Sequence, residues 1–224
     1  MGIDLLDLYK KLLEYWNKHD GQEFTKESLK EFFTADELGC IMFDHNFSDI
    51  NYTVINTFRR KLYTIEKMFT SEEADKLMPL YQEEHYILSC CSDEFLLTYV
   101  DDNEFNRTQE VLRYMVSDET LMKAFNKLKN VYLKAQALRY VKDTDTKLKY
   151  LKKLPASERS RVIMSFADDY LIEKFITLFN GDKGTLIKYL EDDSKKERYF
   201  KRYFAVLSKE DRAEIILSFK DDEK

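Results

Sequence analysis

Apolar residues recur along this chain at intervals of three and four, the spacing that places them on one face of an α-helix. Such stripes of apolar residues predict a helix within 49–69 and a long helix over 118–142. The first stripe predicts a helix over 4–18, where the apolar positions are Leu5, Leu8, Leu12, Tyr15 and Trp16. The pattern therefore predicts a succession of amphipathic helices.

Polar residues mark the predicted helix starts. Thr34 and Glu37 have the spacing of a capping box, and Ser117 precedes the long predicted helix. Such side chains accept hydrogen bonds from the unpaired amides of the first helical turn. The 224 residues include only five Gly and two Pro, too few for the many tight turns of a sandwich or barrel. We therefore expect an all-α protein.

The C-terminal part contains an internal repeat. Residues 150–169 align with residues 203–222, with eight identities in twenty positions. Each copy is a helix–turn–helix, and such pairs stack side by side in HEAT and armadillo solenoids. We expect a multi-helix bundle over 1–142 and a two-copy HEAT/armadillo-like repeat over 143–224. A single continuous domain is the alternative.

Charge is distributed unevenly around a net value of −6. Residues 1–122 hold 12 basic and 25 acidic side chains, residues 123–161 hold 12 and 3, and residues 162–224 hold 12 and 14. We call 123–161 the basic segment. Its charge favours either neutralisation by the acidic half of the same chain or contact with an acidic partner.

The basic segment predicts a partner-binding surface. We expect a non-catalytic protein–protein interaction module, a regulator, adaptor or inhibitor, with an acidic protein as its partner; homo-oligomer formation stays open. The predicted contact residues are Lys123, Lys127, Lys134, Arg139, Lys142, Lys149, Lys152 and Lys153. Nucleic-acid binding through the same segment is the alternative, because tyrosines are interleaved with its basic residues.

Candidate catalytic and metal-binding residues are sparse. Cys40 lies near His45, and His85 lies near Cys90 and Cys91; two such pairs could hold zinc, but buried apolar cysteines are the simpler interpretation. We predict no cofactor and no metal. An enzyme with an unrecognised carboxylate site is the second alternative.

Two short segments partly match sequence motifs of proteins that bind or transfer phosphate. Residues 143–147 begin like the D-x-D-x-T motif of haloacid-dehalogenase phosphotransferases, but Lys147 stands where that motif has Thr, so an interhelix cap is predicted. Residues 181–185 lack the spacing of a phosphate-binding loop. A helix end and a turn are predicted there.

The cellular location is predicted from the N-terminus and the cysteines. The first residues lack the basic region of a signal peptide, and no run of eighteen apolar residues occurs. Three cysteines without a C-x-x-C pattern fit a reducing compartment. We expect a cytoplasmic protein that does not contact a membrane.

Overall fold

The structure is a computed structural model that describes residues 2–19, 22–81, 84–163, 169–178 and 181–219, without the side chains of 160 and 161. Within these ranges the chain is 71% helical and has no strand, which confirms the predicted all-α class. None of the helices in these ranges is long and apolar enough to span a bilayer.

The chain forms two compact units, Met1–Leu96 and Leu97–Lys224. Their division lies earlier in the chain than the predicted boundary at 142/143, which stays a prediction. Eight described helices begin in the first unit: α1 (Leu5–Lys18), α2 (Lys26–Phe32), α3 (Ala35–Phe43), α4 (His45–Ser48), α5 (Tyr52–Leu62), α6 (Ser71–Leu77), α7 (His85–Leu88) and α8 (Asp93–Thr98).

Aromatic packing forms the core of the first unit. Tyr15 of α1 is fully buried, and its hydroxyl lies 2.7 Å from Ser28 Oγ of α2. Its ring meets Phe24 edge to face at a centroid distance of 5.2 Å and Phe58 of α5 at 6.0 Å. The short helices α1, α2 and α5 are thus held together around one phenol ring.

Nine described α-helices begin in the second unit. These are α9 (Phe105–Tyr114), α10 (Asp118–Lys127), α11 (Val131–Tyr140), α12 (Thr144–Leu151), α13 (Ala156–Ile163), α14 (Asp169–Leu178), α15 (Lys183–Lys188), α16 (Asp193–Tyr203) and α17 (Lys209–Leu217). The odd-numbered helices form a row, because α9 packs on α11, α11 on α13, α13 on α15 and α15 on α17.

Aspartate side chains join the beginnings of alternate helices in this unit. Each carboxylate accepts hydrogen bonds from two successive backbone amides where the helix two further along begins. The pairs, which we call the carboxylate clamps, join Asp102 to Lys129 and Asn130, Asp118 to Lys142 and Asp143, and Asp169 to Glu191 and Asp192. The clamped amides adjoin helix starts, where backbone donors lack intrahelical partners.

The predicted long helix over 118–142 is wrong, because the structure divides it into α10 and α11. Asp102 binds the amides of Lys129 and Asn130 in the connection. The Asn130 side chain then accepts from the amide of Tyr132 at 2.9 Å and caps α11. A clamp and a cap therefore interrupt a stripe whose apolar spacing continues across the break.

Other predicted boundaries have mixed outcomes. The first helix and the Thr34–Glu37 capping box are confirmed. The helix predicted within 49–69 is shorter, because α5 ends at Leu62 and Lys67 has a non-helical φ of 49°. Asp143 is an interhelix cap, as predicted, since its carboxylate accepts from the amide of Thr146 at 2.7 Å.

The two predicted repeat copies correspond to α12 with α13 and to α16 with α17. Ser208 caps α17 through a capping box with Asp211. Residues 164–168 of the first copy and 220–222 of the second lie outside the described residues. Each described copy therefore spans the end of one helix and most of the helix that follows it, and the HEAT/armadillo-like repeat stays a prediction.

Gly184 sets the approach of α15 to α17. A Cβ atom there would lie 2.1 Å from Asp211 Oδ1 and 2.7 Å from Asp211 Cβ, and Asp211 is held in the cap of α17. We expect Gly184→Ala to lower the free energy of unfolding by about 1–3 kcal/mol. Urea unfolding measures this, with Gly181→Ala as control because nothing lies within 4 Å of its Cβ position. Equal stability of the two variants would contradict the packing.

The Asp102 clamp predicts a dependence of stability on pH. Hydrogen bonds from the amides of Asn130 and Lys129 lower the pKa of the Asp102 carboxyl. A carboxyl whose pKa is lower in the folded than in the unfolded chain contributes stability above its unfolded value, about 3.9, and loses it as the pH falls through the folded value. We expect the free energy of unfolding to fall less for Asp102→Asn than for wild type between pH 7 and about pH 2.

Urea titrations at a series of pH values between these limits measure that difference. Asp145→Asn is the control, because Asp145 is exposed and its carboxylate makes no hydrogen bond within the described chain. The control should follow the wild-type pH profile. If the Asp102→Asn variant also follows the wild-type pH profile, the clamp does not contribute to the pH dependence of the free energy of unfolding.

Candidate partner-binding surface

Three of the predicted lysines surround one aromatic pair. Phe125 of α10 and Tyr150 of α12 pack edge to face, with centroids 5.3 Å apart. Lys134 Nζ lies 5.3 Å from the Phe125 centroid, and the Nζ atoms of Lys153 and Lys149 lie 4.0 and 5.8 Å from the Tyr150 centroid. We call these five residues the cation–aromatic cluster. Attraction between ammonium groups and ring faces orients the lysines.

The ammonium groups of this cluster keep their charge available. Lys149 and Lys153 are exposed and Lys134 is half-buried. Within the residues that the structure describes, none of the three forms an ion pair with a carboxylate. The ring contacts therefore hold the lysines in place without neutralising them.

Two further predicted residues share a face of α10. Lys123 and Lys127 are four positions apart and both are exposed. Lys123 forms an ion pair with Glu119 at 2.8 Å, where the side chains are 54% and 78% exposed, so the pair is weak and solvent-screened. Lys127 Nζ donates to the carbonyl of Leu97 at 3.3 Å. Both cations remain at the surface.

The other three predicted residues are also exposed. Arg139 lines an open cleft of about 520 Å³ together with Arg113. The side chains of Lys142 and Lys152 are exposed. In the described ranges, no side-chain hydrogen bond, ion pair or ring contact joins these three to the cation–aromatic cluster. Arg113, outside the basic segment, had no signal in the sequence that would associate it with Arg139.

Part of the basic segment is internal rather than surface charge. Arg159 Nε pairs with Asp182 at 2.7 Å, and the two side chains are only 18% and 4% exposed. Burial lowers the pKa of Lys147, which is half-buried. The side chain of Arg161 lies outside the description. The surface charge of this segment is therefore smaller than its composition indicates.

The second unit contains another cation-rich helix, α16, in which two of the cations form ion pairs with the same carboxylate. Lys195 and Arg198 of α16 both pair with Glu173 of α14, at 3.1 and 2.5 Å. The whole unit carries 26 basic and 23 acidic residues, against 10 and 19 in the first unit. Glu173 thus partly neutralises these two α16 cations, whereas the cluster lysines form no close ion pair with a carboxylate in the described chain.

Two of the cysteines considered for catalysis or metal binding lie in environments that disfavour the thiolate form. Burial raises the pKa of the Cys40 thiol to about 11 and that of the Cys91 thiol to about 12, which disfavours the nucleophilic thiolate. In the described residues, no group of three or more His, Cys, Asp or Glu side chains is placed to hold a metal ion.

The Gly181–Thr185 segment packs helices together. Asp182 directly precedes α15, and its carboxylate pairs with Arg159. Lys183 is buried, and its Nζ donates to the carbonyl of Ile176 at 2.8 Å. The prediction of a turn over 181–185 is wrong in its second half, because α15 begins at Lys183, and the two residues before Gly181 lie outside the described residues. The charged side chains of Asp182 and Lys183 make interhelix contacts.

Comparison with protein-family models, curated proteins and solved structures finds no match to this chain. No relative's ligand or activity is therefore carried over. The function of this protein is inferred from its own residues.

The raised thiol pKa values predict slow alkylation. We expect iodoacetamide at pH 8 to modify Cys40 and Cys91 at least about a hundredfold more slowly than an ordinary thiol, because little thiolate forms. Intact-mass and peptide analysis measures the rates, with the urea-unfolded chain as control. Equal rates in the folded and unfolded chains would contradict the burial of these thiols.

Proposed function

We propose that this protein is a non-catalytic interaction module, a regulator, adaptor or inhibitor, that captures an acidic protein partner through its basic segment. The observation that carries the proposal is the cation–aromatic cluster, where Lys134, Lys149 and Lys153 form no close ion pair with a carboxylate in the described chain. Charge that is not neutralised internally steers association with an oppositely charged surface.

The state of the aromatic rings favours a protein over a nucleic acid as the partner. Base stacking on single-stranded nucleic acid needs an open ring face. Phe125 is only 3% exposed, and the Tyr150 ring is occupied by Phe125 and Lys153. The rings therefore support the lysines, and the ammonium groups make the contacts with the partner.

We further propose that residues 97–224 form a solenoid of the HEAT or armadillo kind. The contacts of odd-numbered helices with one another and the clamps between alternate helices support this arrangement. Helical solenoids bind other macromolecules along extended surfaces made by successive repeats. The cluster, which joins α10, α11 and α12, would occupy one such surface.

Charge reversal tests the proposed surface. We expect Lys134→Glu, Lys149→Glu and Lys153→Glu in one chain to weaken binding of a polyglutamate peptide by about tenfold or more, because attraction becomes repulsion. Fluorescence anisotropy at low salt measures the affinity. Lys123→Glu, Lys127→Glu and Lys134→Glu together should have a similar effect.

The matched control reverses three cations elsewhere in the unit, namely Lys201, Arg202 and Lys209. This control changes the net charge equally and should weaken the binding less than the cluster variant. Equal weakening, or unchanged binding in a folded cluster variant, would contradict the proposal. Tighter and more steeply salt-dependent binding of a single-stranded oligonucleotide than of polyglutamate would favour the nucleic-acid alternative.

A further inference from the structure

A polar cleft of about 480 Å³ runs beside α5 in the first unit. Helix α5 contributes Tyr52, Asn56 and Arg60 to its lining, and His45 and Glu84 come from other segments. Its volume lies within the range of small-molecule sites, roughly 300–1,000 Å³. We call it the α5 cleft.

The α5 cleft concentrates positive charge in an acidic unit. Residues 1–96 hold 10 basic and 19 acidic side chains, and the two arginines in this unit, Arg59 and Arg60, both line the cleft. Glu84 is the single acidic residue among the described residues that line it. The cleft therefore differs in sign from the unit around it, which favours an anionic ligand.

Arg59 and Arg60 have different roles in this lining. The Arg59 guanidinium donates to the carbonyl of Ile41 at 2.5 Å, to that of Asp44 at 2.7 Å and to Ser48 Oγ, and so fixes the segment around α3 and α4. The guanidinium of the exposed Arg60 makes no hydrogen bond or ion pair with any described residue. Its five N–H donors are free for a ligand.

The neutral part of the lining offers aromatic surface. Tyr52 and Tyr63 are 72% and 44% exposed beside the cleft. Exposed tyrosine rings pack against flat apolar groups while the hydroxyl keeps its contact with water. The cleft thus combines donors for an anion with ring faces for an aromatic group.

We propose that the α5 cleft binds a phosphate monoester that carries an aromatic group. The Arg60 guanidinium and the His45 ring bind the phosphate, because the planar fork of arginine matches two phosphate oxygens. Tyr52 contacts the aromatic group, and Glu84 disfavours binding by its negative charge. This site belongs to the first unit, so the proposal is independent of the partner-binding surface.

Calorimetric titration of the full chain with phenyl phosphate and with inorganic phosphate tests this site. We expect saturable one-to-one binding of phenyl phosphate that is tighter than that of inorganic phosphate. Arg60→Gln should weaken it by about tenfold, the usual effect of losing a charge-assisted hydrogen bond. Tyr52→Ala should remove the advantage of phenyl phosphate over inorganic phosphate.

Two further variants separate a built site from general electrostatics. Lys61→Gln removes the same charge from the next residue of α5, but Lys61 Nζ lies 4.7 Å from the Phe24 ring centroid and does not line the cleft. It should change the affinity by less than about twofold, because exposed charges away from the site are screened. Glu84→Gln should tighten binding, because it removes the carboxylate of the lining.

Three results would overturn the proposal. The first is no saturable heat with phenyl phosphate at concentrations up to about 10 mM, which corresponds to negligible affinity. The second is equal weakening by Lys61→Gln and Arg60→Gln. The third is a Glu84→Gln variant that binds no more tightly than wild type.

Discussion

Hydrogen bonds that backbone amides donate to aspartate carboxylates hold the helices of residues 97–224 in their arrangement. These helices are short, from six residues in α15 to eleven in α16, and isolated helices below about 12–15 residues are marginal in water. Each clamp satisfies two amides near a helix start and joins two alternate helices at their beginnings. Burial of apolar side chains between helices can then stabilise elements that would not persist alone.

The clamps also determine which side chains meet at the surface. Asp118 fixes α10 beside α12, so Phe125 and Tyr150 come into contact and the cluster lysines gather around them. Asp169 fixes α14 beside α16 in the same way, but there Glu173 pairs with Lys195 and partly offsets its charge. The same kind of carboxylate clamp thus supports two surfaces of different charge.

Local signals in the sequence predicted the features that depend on neighbouring residues. The Thr34 capping box, the cap at Asp143 and the first helix follow from residues within one turn of each other. The break between α10 and α11 was missed because it depends on Asp102, which is 27 residues before Lys129 and has no local pattern that identifies its partners.

For the candidate site as well, the sequence predicted the local features and missed the contacts between distant residues. Composition identified the basic segment, but it could not separate Arg159, paired with Asp182 23 residues away, from Lys153, which stays exposed. The α5 cleft was missed entirely. Arg59 and Arg60 fall within the helix predicted over 49–69, and their convergence with His45 and Glu84 depends on tertiary structure.

Amide hydrogen exchange tests the clamps most directly. The amides of Asn130 and Asp143 lie outside regular helix, yet each donates to a clamp carboxylate, whereas the amide of Asp145 has no acceptor in the described chain. After correction for intrinsic rates, we expect Asn130 and Asp143 to exchange about tenfold or more slowly than Asp145. Equal rates at these positions would show that the carboxylates do not hold the helix starts, and the arrangement of the second unit would need another cause.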